Sequence, residues 1–520
     1  MRHGQRFRGA LRAYRNRAYG NTPLLIAAIG ILLWAESISA QQTPSNITIL
    51  HTNDIHGSYE PAVATWETDK PRVGGFVALD YYVNQERKNA ERCLLLDAGD
   101  LMTGTPICDM KYDSAYGGAL MAMMNTIGYQ GWVFGNHDFD KGADNLRALM
   151  KIAKFPIFCA NFVKDKQLFA SEPYHIYNIN GLRVGVIGIT YDPMVGMASP
   201  EKLDGFVSLD PIQTVNAIVP KIDDQTDLII VLSHLGIEND RKLAENIKGV
   251  DLIVGGHSHT RLDTPEKVNG VLIVQTGSNC RNLGRIDLTV AGDSVMAYNG
   301  KLIPLYIKGI TPDPQIAALV DSFSAVIDKD YGAVIGQLKN RWENQYRSEC
   351  NLGEWITDAM RDRMKTDVAF VNSGGLRKSL DAGPITKMDI SEILPFDNKI
   401  VTFDVTGGEL IKIAAHNIGL ETDSYQGSLQ LSGMTYSWSN HDGQPKVLDL
   451  KVNGIPVDPE KIYTATSIDY VAITNADKYF SFSPQNIKQT DLGLTQLVTE
   501  AVQKAGVIEG KVDGRIKKLD

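Results

Sequence analysis

Five short motifs in the first half of this 520-residue chain carry the side chains that hold divalent metals. They are Asp54-Ile55-His56, Gly99-Asp100, Gly135-Asn136-His137-Asp138, Ser233-His234 and Gly256-His257-Ser258-His259. Each directly follows an apolar run, so in a fold of parallel strands all five converge on one sheet edge. The set offers four histidines, two aspartates and an asparagine, with His137 left over. Imidazole mixed with carboxylate suits zinc, manganese, iron or cobalt rather than an all-oxygen calcium site. Two such ions about 3.5–4 Å apart can share a hydroxide and clamp phosphoryl oxygens during in-line attack.

In order along the chain, these motifs resemble those of the binuclear metallophosphoesterases. The longer phrases Leu50–Gly57 and Gly135–Asp140 resemble the 5′-nucleotidase branch, which includes ecto-5′-nucleotidase and the periplasmic UDP-sugar hydrolase/5′-nucleotidase. The resemblance runs over about residues 47–520. It implies an α/β protein: an N-terminal calcineurin-like metallophosphoesterase αββα sandwich joined by a linker helix to a C-terminal α/β 5′-nucleotidase domain. It also implies two metal sites. Asp54, His56, Asp100 and His259 would hold the first ion, and Asp100, Asn136, His234 and His257 the second, with Asp100 shared. His137 would face the phosphoryl group, stabilising the transition state or protonating the leaving oxygen. Asp140 would orient His137 and favour its charged form, although it also stands where a helix N-cap would.

The second half supplies candidates for choosing a substrate. Asn372-Ser373-Gly374-Gly375-Leu376-Arg377 follows the apolar strand Val368–Val371; its glycines admit a ligand to the backbone and Arg377 can pair with phosphate. The family has Asn-x-Gly-x-x-Arg at this place, contacting substrate. By the same resemblance Phe396 would stack on a nucleobase, Asn398 would bond its edge, and Tyr470 would be the second stacking ring. Asp477 would meet the ribose, and Arg347, before the helix near Leu352, would contact substrate. The chain departs from the pattern at 470–477: Tyr replaces Phe, one residue is extra, and Asn475-Ala476-Asp477 replaces Gly-Gly-Asp. This loop must take another backbone shape.

The elements that would position these residues are legible as alternation. The apolar runs Ile47–Leu50, Leu94–Leu96, Trp132–Phe134, Val184–Ile189, Leu228–Leu232 and Leu252–Val254 read as buried strands. Segments such as Ala143–Ala153 and Pro211–Ile222 read as helices between them. After Thr311-Pro312-Asp313-Pro314, apolar residues at 316, 319, 320, 323, 326 and 327 mark one amphipathic helix, the expected connector on which the domains swing. A second α/β region follows, with strands Val368–Val371, Ile400–Val405 and Thr464–Ile468 and helices Leu352–Met364 and Gly407–His416. The expected division is 1–40 signal peptide, 41–305 metallophosphoesterase domain, 306–335 linker and 336–520 substrate-binding domain.

Composition sets the remaining bounds. The net charge is −9, but the first forty residues hold six arginines and one glutamate, leaving −14 on the rest. An acidic body argues against a nucleic-acid polymer as partner. The basic start, the apolar run Leu24–Trp34 and the small residues to Ala40 have the layout of a cleaved secretory signal, and the run is too short for a permanent span. The protein is therefore expected to be exported, periplasmic or at the cell surface. Five cysteines, at 93, 108, 159, 280 and 350, show no metal spacing and carry no functional signal. The expected activity is hydrolysis of nucleoside 5′-monophosphates, with two divalent ions and a small nucleotide as the bound partners. The alternatives are UDP-sugar or dinucleotide pyrophosphatase activity, 2′,3′-cyclic phosphodiesterase/3′-nucleotidase activity, and a non-catalytic surface binding protein, which would have lost ligands.

Overall fold

Along Leu182–Thr190, Leu228–His234 and Leu252–Gly255 every residue is buried or nearly so, and successive side chains enter two different cores. Val184, Val186, Leu228, Ile230, Leu232, Leu252 and Val254 join one core; Ile187, Ile189, Ile229, Val231 and Ile253 join another. A strand with period two can do this only when both faces of its sheet are covered. Here one face meets a second sheet and the other meets the helices Pro211–Ile222 and Ile237–Asn246. The computed structural model describes residues 44–64, 66–191, 205–420, 427–441 and 444–519. The expected signal segment lies outside these residues.

The first sheet has the strand order Val295–Pro304, Asn282–Val290, Ser45–Thr52, Cys93–Asp97, Gly131–Trp132. The second runs Tyr174–Ile179, Leu182–Thr190, Leu228–His234, Leu252–Gly255, Val271–Val274, Glu266–Val268. The helices Phe76–Lys88 and Gly118–Ile127 cover the outer face of the first sheet, which completes the αββα sandwich. Ser45–Thr52, Cys93–Asp97 and Gly131–Trp132 pair in parallel, as do Leu182–Thr190, Leu228–His234 and Leu252–Gly255. Their C-terminal ends therefore share an edge, and all five motifs stand there.

The amphipathic helix forms over Pro314–Tyr331, with the Asp313 carboxylate accepting from the Gln315 N–H as its cap. Its apolar stripe of Ile316, Val320, Phe323 and Ile327 is buried in the core of the first region, against the helices Phe76–Lys88 and Gly118–Ile127. It is fastened to that region rather than spanning free between the two. Beyond it, the strand order Leu429–Ser432, Val368–Asn372, Ile462–Ile468, Lys399–Thr406, Gln485–Gly493 makes the main sheet of the second region, which has its own core. No helix of the described residues is long and apolar enough to cross a membrane. The five cysteines are all free thiols.

Candidate functional site: a His/Asp centre facing an aromatic cavity

Asp54 and His56 follow the strand Ser45–Thr52, Asp100 follows Cys93–Asp97, and Asn136 and His137 follow Gly131–Trp132. His234 ends its strand, and His257 and His259 follow Leu252–Gly255. Asp54, His56, Asp100, His257 and His259 all have φ between 49° and 74°. That left-handed backbone is costly outside glycine and persists where the surroundings force it, commonly at functional sites. Gly135 shows how crowded the edge is. A Cβ there would lie 2.2 Å from Asp100 Oδ1 and 2.5 Å from His234 Nε2.

Two groups of side chains converge so that each could hold a metal ion: Asp54, His56 and His259, and Asp100, His234 and His257. His259 Nε2 is 3.4 Å from Asp54 Oδ1 and 2.9 Å from His56 Nε2. Asp100 Oδ2 lies 3.2 Å from His234 Nε2 and 3.9 Å from His56 Nε2, between the two groups. Asn136 Oδ1 is 2.9 Å from His257 Nδ1, so the asparagine joins the second group. The proton positions fit cation binding. His234 Nδ1 is held by the Ala98 carbonyl at 2.6 Å and His56 Nδ1 by the Met102 carbonyl at 3.0 Å, which turns both Nε2 atoms inward. His234 Nε2 is buried without a hydrogen-bond partner. Burial opposes charging His234, yet the Asp100 and Asp54 carboxylates outweigh it and push this imidazole up to about 10. The centre draws positive charge to that point, and divalent cations satisfy it.

Several residues that sequence reasoning passed over hold this arrangement. Asp138 is fully buried and accepts from the N–H groups of Asp100, Met102 and Gly135 at 2.7–3.1 Å, tying two of the motif loops together. It stands inside the Gly-Asn-His-Asp motif, so its position was in view but not its role. Asn53 donates to Asp54 Oδ2 at 2.7 Å and to the Gly277 carbonyl at 2.7 Å. The Tyr191 ring stacks on His257 at 4.4 Å, and nothing in its sequence context signals this.

His137 Nδ1 lies 2.9 Å from Asp140 Oδ2, and Thr103 Oγ1 donates to the same oxygen at 2.6 Å. Burial works against a charge on His137, but the Asp140 and Asp100 carboxylates hold it above the ordinary histidine range. Asp140 is thus paired with His137 and does not cap the helix Ala143–Ile152, which starts after Gly142 without a side-chain cap. The His137 ring is 5.5 Å from that of His56 and 5.6 Å from that of Phe396. It therefore stands between the centre and the second region.

One cavity of about 500 Å³ joins the two regions. Asp100, Asn136, His137, Asp140, His257 and His259 line one part, and Asn372, Gly374, Gly375, Arg377, Phe396, Asn398 and Tyr470 line the other. The Arg377 guanidinium lies 5.8 Å from the Phe396 ring centre. Neither Arg377 nor Lys478, which also lines the cavity, forms an ion pair among the described residues. Two expected contacts lie outside the cavity lining in this structure. Arg347 is exposed and does not line the cavity; its neighbour Tyr346 does. The reason is local: Ser373 Oγ and the Ser428 N–H clamp the Tyr346 carbonyl at 2.6 and 3.0 Å, fixing the chain with that ring inward. Asp477 is likewise exposed, and Lys478 and Tyr479 line the cavity instead. Here the extra residue is absorbed as a π-helical turn over Tyr470–Thr474, closed by Asn475 N donating to the Tyr470 carbonyl at 3.0 Å. That wide turn leads into the short helix Ala476–Tyr479, on which Asp477 faces solvent.

Comparison with known proteins agrees with this geometry. Residues 47–261 match the calcineurin-like phosphoesterase family, and residues 334–483 match the C-terminal domain of 5′-nucleotidases. The chain is 28% identical to the trifunctional nucleotide phosphoesterase YfkN of Bacillus subtilis over 91% of its own length, but spans 35% of that longer protein. It is 28% identical to the 5′-nucleotidase of Bos taurus, over 96% of this chain and 95% of that one. The crystal structure of a 5′-nucleotidase precursor from Thermus thermophilus superposes with a TM-score of 0.81 at 27% identity, covering 92% of this chain and all of the other. With both domains matched and both His/Asp groups in place, the chain belongs to the 5′-nucleotidase family and is a metal-dependent phosphoester hydrolase with sites for two divalent cations.

Proposed function

We propose that this chain is an exported enzyme that releases phosphate from nucleoside 5′-monophosphates. The observation that carries the reading is the single cavity lined by both the His/Asp centre and the Arg377–Phe396–Tyr470 set. Asp54, His56, Asp100 and His259 would hold one cation, and Asp100, Asn136, His234 and His257 the other. When bound, the two cations supply a water nucleophile at neutral pH and charge to hold the phosphoryl oxygens.

The chain's own groups do the rest. Arg377, which forms no ion pair among the described residues, would meet the phosphate. His137 has Nδ1 committed to Asp140, which leaves Nε2 to give its proton to the departing ribose oxygen. Phe396 and Tyr470 offer ring faces to the base, and Asn372 and Asn398 offer amides. The mature chain divides at 41–305, 306–335 and 336–520 after loss of residues 1–40. Substrate spans the first and third of these segments, so neither suffices alone.

A second reading, hydrolysis of UDP-sugars, dinucleotides or 2′,3′-cyclic nucleotides, is favoured by the wide turn after Tyr470, which changes the wall of the cavity. The name of YfkN, a trifunctional nucleotide phosphoesterase, belongs with this reading. The test is hydrolysis of AMP, UDP-glucose, 2′,3′-cyclic AMP and bis-p-nitrophenyl phosphate by protein loaded with manganese, zinc or cobalt. AMP should give the highest kcat/KM. A pyrophosphate or cyclic substrate ahead of AMP selects the second reading, and no turnover by metal-loaded protein defeats both.

A further inference from the structure

Among the described residues, the second region's share of the cavity wall holds two cations, Arg377 and Lys478, and no carboxylate. Arg377 follows the strand Val368–Asn372. Lys478 stands on the short helix Ala476–Tyr479, beyond the strand Ile462–Ile468 that pairs in parallel with the first. Their surroundings differ. Arg377 is close enough to the His/Asp centre for its charge to bear on His56 and His137, and its guanidinium lies 5.8 Å from the Phe396 ring centre. Lys478 is half-buried and fixed through its backbone. Its N–H donates to the Asn475 carbonyl at 3.0 Å, and its carbonyl accepts from His416 Nε2 at 2.6 Å. The helix so held turns Asp477 to solvent and Lys478 to the cavity.

Charge counting separates the two cations. Two divalent ions against the Asp54 and Asp100 carboxylates leave two positive charges, which one phosphate monoester dianion matches. The His137–Asp140 pair balances within itself, and Arg377 already adds a cation beside the centre. Lys478, which forms no ion pair among the described residues, is positive charge beyond what a single phosphate uses. A partly desolvated ammonium is stabilised by an anion that donates no charge elsewhere, and a second phosphate on the ligand is such a partner.

We propose that Lys478 binds a second phosphate carried on the sugar of the substrate, so that the cavity favours nucleoside 2′,5′- or 3′,5′-bisphosphates over nucleoside 5′-monophosphates. Water cleaves the 5′ P–O bond, the departing 5′ oxygen takes a proton, and the products are inorganic phosphate and a nucleoside 2′- or 3′-phosphate. This inference rests on the nucleotide reading above, whose scissile bond it keeps.

The test is kcat/KM for AMP, ADP, adenosine 2′,5′-bisphosphate and adenosine 3′,5′-bisphosphate in metal-loaded wild type, Lys478→Gln and Lys478→Arg, with the nucleoside product identified by chromatography. At least one bisphosphate should exceed AMP by about tenfold, mainly through KM, the size of one charge-assisted hydrogen bond. Which of the two gains tells whether the second phosphate sits at the 2′ or the 3′ position. Lys478→Gln should bring that ratio to about one, and Lys478→Arg, which keeps the charge, should retain most of it. Neither bisphosphate exceeding AMP, or a Lys478→Gln ratio equal to that of wild type, overturns the inference while turnover of AMP leaves the nucleotide reading standing. A Lys478-dependent gain on ADP alone also overturns it, since the second phosphate then lies in the diphosphate. Wild type that cleaves p-nitrophenyl phosphate but no nucleotide overturns that reading and this one together.

Discussion

Asp100 and His137 are neighbours in the same cavity and are proposed to have different tasks. Asp100 Oδ2 lies between the two His/Asp groups, and its Oδ1 accepts from the His137 N–H at 2.8 Å. His137 contributes no atom to either group. Asp100→Ala should therefore lose bound metal and activity together. His137→Ala should keep both metals and lose on the order of 10²–10⁴ in kcat, the usual contribution of proton transfer. Metal analysis of the purified variants beside their turnover checks this, and equal metal loss in both would show that His137 is a ligand. At this scale the sequence was informative wherever a residue belongs to a short motif pinned to a strand end, because the strand fixes where the next two or three residues go. Arg347 and Asp477 stand outside the cavity lining because each lies in irregular chain. There, one clamped carbonyl or one inserted residue decides which of two neighbours faces inward.

At the scale of elements, most of the strands and helices named from periodicity lie within a residue or two of the observed ones, Pro211–Ile222 and Val368–Asn372 among them. The antiparallel pair Asn282–Val290 and Val295–Pro304 escaped notice because its outer strand is half exposed and lacks a continuous apolar run. The connector was legible as a helix but not as part of the first core. Its apolar stripe names no partner, and the observed packing puts that stripe in the first core. One helix has a pH dependence that its sequence does not advertise. Glu354, in the first turn of Asn351–Met364, is buried beside Glu349, and Arg515 ties it to the final strand Ile516–Leu519 through a 3.4 Å contact. Burial, and then the Glu354 carboxylate, push Glu349 up to about 7 from an ordinary value of 4.5. A raised carboxyl binds its proton more tightly when folded, so its stabilising effect is full below pH 4.5 and is lost as pH rises to about 7. Glu349→Gln, neutral throughout, should lose less Tm between pH 5 and pH 8 than wild type. Parallel melting curves would show no such difference if the pair were already solvated.

For the whole molecule, the two regions answer separate chemical needs. An acidic protein must gather positive charge where a phosphate binds, and around one cavity stand two candidate cation sites with Arg377 and Lys478, neither ion-paired among the described residues. In the proposed function the first region would hold the reacting groups, and the second the rings and amides that distinguish one phosphoester from another. Composition indicated an acidic body and the alternation of elements two α/β regions, but a shared cavity could not be read from either, because no residue pattern reports how two cores face each other. The central claim is that one substrate engages both regions at once. The most direct measurement is kcat/KM for AMP relative to p-nitrophenyl phosphate, in metal-loaded wild type and in Phe396→Ala. Removing the ring that faces both His137 and Arg377 should lower this ratio by about tenfold or more, the cost of losing one aromatic stacking contact. An unchanged ratio, with both substrates falling alike or neither falling, would contradict the account.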